Sequence, residues 1–196
     1  MNRLNIVLAS ASPRRIEMLK KHGYDPVIFP SDIEENTPLY DGGRQTCEFL
    51  ALKKALNVEG KLDEKLKNSH PYIIAADTVV YKDKVIGKPC DRKDAEDILM
   101  SLEGSSHQVI TGVAIIKAGT EKRTVFSCTT DVFFRSYRLE DLDEYLSGDE
   151  PYDKAGAYAI QGYFGRYIEK YDGSLNNVIG FPLEEILAEI EAMIND

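Results

Sequence analysis

Cysteine is scarce: Cys47, Cys90 and Cys128 are the only three in 196 residues, far apart and odd in number. They form neither a disulfide framework nor a CxxC metal knuckle, and reduced thiols in a cytoplasmic protein are the expectation. Histidine is equally sparse, and His22, His70 and His107 are too scattered to suggest zinc or a Ser–His pair. No apolar run approaches the roughly 20 residues of a membrane span. The stretch Leu4–Ala9 is too short for the apolar core of a secretory leader. Positive charge is in deficit, with 24 Lys and Arg against 33 Asp and Glu for a net charge of −9. That balance excludes a broad electrostatic grip on nucleic acid. There is no GxxxxGK[ST], which disfavours a P-loop kinase or GTPase, and no repeat or low-complexity tract. What is present is an ordinary globular composition, 43% hydrophobic and 29% charged, which argues against disorder. A chain of this length buries roughly 70% of its unfolded surface, enough for one domain over residues 1–196 without staples.

Apolar patterning alternates between strand and helix. Leu4–Ala9 reads as a buried strand, followed at Ser12-Pro13 by a helix start and at Gly23 by its stop. Asp25–Phe29 is a second strand, Pro30–Gly43 an acidic loop, Arg44–Leu56 a helix, and Glu59–His70 a charged surface connection. Tyr72–Tyr81 (YIIAADTVVY) is a central strand with one embedded acid, and Lys84–Ile86 its hairpin return. Asp91 caps a helix to Glu103 with Ala95, Ile98, Leu99 and Leu102 on its inner stripe. Val109–Ile116 and Thr124–Phe134 are strands with apolar residues on both faces, and Leu139–Gly148 is a further helix. Glu150–Gly180 reads as loops with one strand near Gly165–Tyr171. Pro182 opens the last helix, with Leu183, Ile186, Leu187, Ile190 and Ile194 inward. The fold class is therefore α/β, an α+β mixed sheet in a single domain.

Chemistry concentrates at a few places. Ser10-Ala11-Ser12-Pro13-Arg14-Arg15 sits at a strand-to-helix turn, where hydroxyls, helix amides and two guanidiniums would cradle a phosphate. Adjacent arginines oppose the helix dipole, a local conflict of the kind found at functional sites, though a solvated basic helix start fits as well. Asp77 inside an apolar strand must be paired, metal-bound or lining a cleft. If it lines a cleft, holding a divalent ion or accepting a proton from water are its available tasks. Lys88 in a Gly-Lys-Pro turn, Lys54 in a helix and Lys154 in DKAGAY each read singly as solvated lysines or as point charges for phosphate. The Glu34-Glu35 pair offers oxygen ligands.

Taken together, LASASPRR (Leu8–Arg15), IEE (Ile33–Glu35), ALKKA (Ala51–Ala55), AADTVV (Ala75–Val80), IGKP (Ile86–Pro89), EGSSHQVITG (Glu103–Gly112), DKAGAYAIQG (Asp153–Gly162) and GSLNNVIGFPL (Gly173–Leu183) resemble the Maf family of nucleoside triphosphate pyrophosphatases. The motifs follow the family's order over nearly the whole chain. Glu59–His70 is long for the family, and Phe181 stands where Leu is usual. The resemblance implies a domain with a central cleft, like inosine triphosphate pyrophosphatases, and hydrolysis of a nucleotide to its monophosphate and pyrophosphate. It casts Asp77 as proton acceptor, Glu35 and Asp77 as ligands of Mg²⁺ or Mn²⁺, Lys88 and Lys54 as catalytic cations, and Ser10, Arg14, Arg15 and Lys154 around the phosphates. The Asp77-Thr78 pair and Gln161 resemble the subgroup acting on dTTP and UTP, in which Arg14, Thr78 and Gln161 are associated with base selection, and modified pyrimidine nucleotides extend the same reading. A glutamine amide matches uracil or thymine but flips to suit cytosine unless a neighbour pins it. A nucleotide sensor without turnover, and the same hydrolysis on ITP or 7-methyl-GTP, are the alternatives. The implied partner is the nucleotide, with no nucleic acid or membrane and with a homodimer left open.

Overall fold

The computed structural model describes residues 4–34 and 42–195, and its frame is set by long apolar strands that bury both faces. In chain order these are β1 (Ile6–Leu8), α1 (Pro13–Lys21), β2 (Val27–Ile28), α2 (Gly43–Lys61), α3 (Glu64–Lys67), β3 (Tyr72–Lys82), β4 (Lys84–Ile86), α4 (Arg92–Leu102), β5 (Ser106–Lys117) and β6 (Arg123–Phe134), followed by α5 (Asp143–Leu146), β7 (Ile168–Asp172), α6 (Leu175–Ile179) and α7 (Leu183–Asn195). The sheet runs β2-β1-β3-β5-β6-β7, with β4 folded back on β3. β1 pairs in parallel with β2 and β3, while β3–β5, β5–β6 and β6–β7 are antiparallel. A mixed α/β sheet results, as expected.

Strand alternation sorts the core by parity. Tyr72, Ile74 and Ala76 of β3, with Val113 and Ile115 of β5, face α1 and α7 through Leu19, Leu183, Ile186 and Ile190. Ile73 and Ala75, with Ala114 and Ile116, face α2 through Ala51, Ala55 and Val58. A third core lies further along the same strands, where Val80, Val109 and Phe134 meet Leu99, Leu102, Tyr145, Tyr158 and Phe164. Small residues bring α2 against the sheet: a Cβ on Gly112 would lie 2.3 Å from the Cys47 carbonyl carbon and 2.5 Å from the Glu48 nitrogen.

Several boundaries differ from the sequence expectation. The second helix continues to Lys61 because Val58, and Leu62 just beyond it, prolong the buried stripe of Ala51 and Ala55. The charged connection is thus partly helical, and it carries the extra turn α3, where Asp63 caps the Leu66 amide at 2.7 Å. The Leu139–Gly148 helix is broken into a 3₁₀ turn at Leu139–Asp141 and the short α5. In α7 it is Met193, three residues past Ile190, that turns inward, and Ile194 is 54% exposed. The irregular segment hides α6, capped at Ser174 and ended by Gly180 at φ +96°. All three cysteines are free. Among the described residues no helix is long and apolar enough to cross a membrane.

Gly112→Ala is expected to destabilise the fold by about 1–3 kcal/mol, because backbone rather than a flexible side chain blocks the added methyl. Urea unfolding of the variant against the parent measures the loss.

Candidate active site

A cleft of about 1030 Å³ opens between the two-faced core and the aromatic one. The β1–α1 turn delivers Ser10, Arg14 and Arg15 to it; α2 delivers Thr46, Leu50 and Lys54, spaced by four so that one helix stripe faces in. Asp77 and Thr78 come from the middle of β3, Lys88 from the turn after β4, and Lys154 and Gln161 from the segment before β7. Nine of the ten residues singled out in the sequence therefore line one cavity. The tenth, Glu35, lies outside the described residues, as does part of the acidic loop.

These nine do different physical work. Lys54 Nζ donates to Asp77 Oδ1 at 2.6 Å, and the two side chains are 12% and 11% exposed, enough to meet an occupant of the cleft. A lone carboxylate in an apolar strand would be costly, and this contact offsets the penalty. Lys154 pairs with Asp153 and also donates to the Glu150 carbonyl at 3.2 Å. Arg14, half-buried, and Lys88, exposed, have no ion-pair or side-chain hydrogen-bond partner among the described residues, which leaves their charge for a ligand. Arg15 is spent on the scaffold: its guanidinium donates to the carbonyls of Ala76 (2.8 Å) and Gly180 (3.0 Å) and to the hydroxyls of Ser10 (3.3 Å) and Thr78 (3.4 Å). It braces α1, β3 and α6 against one another. Ser10 Oγ also accepts from the Ser12 amide at 3.2 Å, whereas Ser12, though it occupies the cap position of α1, makes no side-chain cap. With no acid in the first turn, α1 presents uncompensated amides and arginines to the cleft.

Five cations and two carboxylates, Asp77 and Asp153, are the charged residues among the described lining. The described residues contain no group of three or more His, Cys, Asp or Glu placed to hold a metal. One deep carboxylate in a cleft lined by several cations is a hard oxygen donor of the kind that Mg²⁺ takes alongside water. Among the described residues Asp77 offers such an ion a carboxylate ligand.

The segment bearing Lys154 and Gln161 is anchored from behind. Gly156 N donates to the Gly87 carbonyl at 3.0 Å, which ties the Lys154 loop to the Lys88 turn. Gly156 and Ala157 take φ of +73° and +60°, and Tyr145 Oη donates to the Ala157 carbonyl at 2.9 Å. Tyr158, which lines the cleft, meets buried His107 Nε2 at 2.7 Å. Sequence reasoning missed Tyr158 and Thr46. The four-residue spacing from Lys54 signals Thr46, while nothing local signals Tyr158.

The model of the family described as Maf-like protein matches residues 5–193. The chain belongs to the Maf family. It is 42% identical over 179 residues to a protein of Caldicellulosiruptor bescii named dTTP/UTP pyrophosphatase, covering 91% of this chain and 89% of that one. Proteins of the same name from Desulfitobacterium hafniense and Geobacter metallireducens are each 40% identical, covering 92% and 96% of this chain and 82% and 95% of theirs. A solved structure described as the Staphylococcus aureus Ham1 protein aligns with 98% of this chain at 12% identity and a TM-score of 0.40, too slight a likeness to add to the sheet order above.

Burial, reinforced by the charge of Lys82, pushes the His107 imidazole down to about 4. The ring is neutral in the fold, while an unfolded histidine takes up a proton near pH 6.5. Its contribution is therefore complete above about pH 6.5 and is lost as pH falls through about 4, on the order of 3 kcal/mol in all. Urea unfolding of the parent and His107→Gln at stepped pH checks this: the variant should lose stability less steeply between pH 6.5 and 4.

Proposed function

We propose that this Maf-family chain hydrolyses dTTP and UTP at the α–β phosphoanhydride, releasing the nucleoside monophosphate and pyrophosphate. The observation that carries the proposal is the convergence of Arg14, Lys54, Lys88 and Lys154 on a cleft whose floor bears Asp77. Phosphoryl transfer needs little covalent help and much charge neutralisation, and this is how the cleft is equipped. The names of the relatives at about 40% identity support the same substrates.

In this reading Arg14, Lys88 and Lys154 hold the phosphate oxygens, and the amides at the start of α1 add fixed partial charge. Asp77 takes the proton from the attacking water. As the water oxygen bonds to phosphorus, the bridging P–O bond breaks and its electrons leave on pyrophosphate. Lys54 keeps the Asp77 carboxylate aimed through their 2.6 Å contact. Asp77 and Glu35 would hold Mg²⁺ or Mn²⁺, which would supply further neutralisation of the triphosphate when bound. Arg15 belongs to the scaffold that sets the turn. Three cysteines, far apart in sequence and odd in number, suit a reducing compartment, and the cytoplasm is where we place the reaction.

Purified protein incubated with Mg²⁺ and each nucleotide should release pyrophosphate and monophosphate from dTTP and UTP. Binding without products would make the chain a sensor, and preference for ITP or 7-methyl-GTP would move it to purines. Asp77→Asn should lower kcat by about 10²–10⁴-fold, the usual range for a lost general base, and unchanged turnover would remove Asp77 from the chemistry. EDTA should reduce turnover to background, with recovery on adding Mg²⁺ or Mn²⁺.

A further inference from the structure

Lys154 and Gln161 reach the cleft from one irregular segment, whose regular structure between them is the short 3₁₀ turn Ala155–Ala157. Backbone with so few ladder bonds has to be fixed by side chains. At the near end Pro151 is buried and Tyr152 Oη donates to the Leu146 carbonyl at 2.8 Å. At the far end Tyr163 is held through ring and backbone together. Its ring stacks on Tyr145 at 5.6 Å between centroids, the Arg166 guanidinium lies 3.7 Å from its ring centroid, and Arg166 Nε donates to its carbonyl at 3.1 Å.

Glu150 joins the two ends. Its backbone carbonyl accepts from Lys154 Nζ at 3.2 Å, while its carboxylate crosses to the far end and accepts from the Tyr163 amide at 3.5 Å through Oε2. The same carboxylate lies flat against Gly162, the residue after Gln161, where a Cβ would come within 2.6 Å of Glu150 Cδ. The carboxylate is poorly rewarded for this position. Oε1 is buried without a hydrogen-bond partner among the described residues, and the Tyr145 hydroxyl beside the group gives its proton to the Ala157 carbonyl at 2.9 Å. A buried acid with one long hydrogen bond costs stability, and local rules are broken in this way where function needs a group in place.

We infer that Glu150 is a positioning residue for the cleft: it staples the two ends of the segment together, and so sets Lys154 through its carbonyl and Gln161 through the Gly162–Tyr163 backbone. The inference rests on the proposed reading of Lys154 as a cation that holds phosphate, and adds the group that aims it. Glu150 touches no substrate and acts through these two side chains. Glycine at 162 is the other half of the device, since the carboxylate occupies the space a side chain would take.

The test separates KM from kcat for dTTP. Glu150→Ala should raise KM by about 10-fold, the scale of one hydrogen bond to a charged group, and leave kcat within about 3-fold, because a phosphate cation grips substrate and transition state alike. Glu150→Gln keeps an oxygen for the Tyr163 amide and should return KM to within about 3-fold of the parent. Gly162→Ala, at an ordinary φ of −98°, should raise KM as Glu150→Ala does. The double variant should be no worse than either single one, because removing the carboxylate makes room for the methyl. An unchanged KM in Glu150→Ala, with kcat falling in step with the folded fraction, makes the role purely structural and overturns the inference, as do additive losses in the double variant. Should Glu150→Ala fail to fold, Gly162→Ala decides, a raised KM supporting the staple and an unchanged one overturning it. A parent that turns over no pyrimidine triphosphate sinks the hydrolase reading, and the comparison passes to the calorimetric dissociation constant of dTTP. There the same weakening in the variants supports the staple and equal affinity overturns it; a parent that binds no dTTP overturns both.

Discussion

The contact between Lys54 and Asp77 is the constraint on which the site is built. β3 is buried on both faces, and a carboxylate in such a strand requires a cation or a route to water. Lys54 can supply that cation only if α2 lies close to the sheet and in the right rotation. Close approach comes from Gly112, Ala51, Ala55, Ala75 and Ala114, and the rotation from the stripe of Thr46, Leu50 and Lys54. The packing of small residues and the placement of the charge are thus one problem with one solution. A side chain on Gly112 would push α2 outward and lengthen the ion pair as well as disturb the core.

Thr78, the next residue, points to the opposite face and meets a separate polar system. Strand alternation places Asp77 toward α2 and Thr78 toward α1 and α6, so adjacent residues meet separate sets of partners. Arg15 links this second face to the turn that carries Arg14. The double arginine, which opposes the helix dipole, makes sense as two different devices: one guanidinium whose charge is left for a ligand and one that laces three elements together.

Much of this was legible beforehand because it is local. The embedded acid in YIIAADTVVY, the Ser-Pro-Arg-Arg helix start, the Gly-Lys-Pro turn and the spacing of the long helix are short-range patterns whose physics does not depend on distant chain. The misread elements share a cause too. Charge in Glu59–His70 hid the buried Val58 and Leu62, which decide the end of α2, and Ile194 yielded its place to Met193 because packing chose the three-residue over the four-residue step. Helix α6 was obscured because its five residues owe their order to Ser174, Gly180 and the buried Asn177 rather than to any periodic stripe.

Residue types and spacing alone settled that this chain makes a mixed sheet, that a carboxylate and several cations are candidates for phosphate chemistry, and that the motifs match one family. Those properties follow from burial and backbone preferences acting over a few residues at a time. Which cation holds Asp77, which arginine is structural, and what anchors the Lys154 loop were decided only by the folded chain. Each depends on groups brought together from tens of residues apart, Lys54 to Asp77, Arg15 to Gly180, Gly156 to Gly87. In the last two the acceptor is a backbone carbonyl, which no side-chain pattern can reveal.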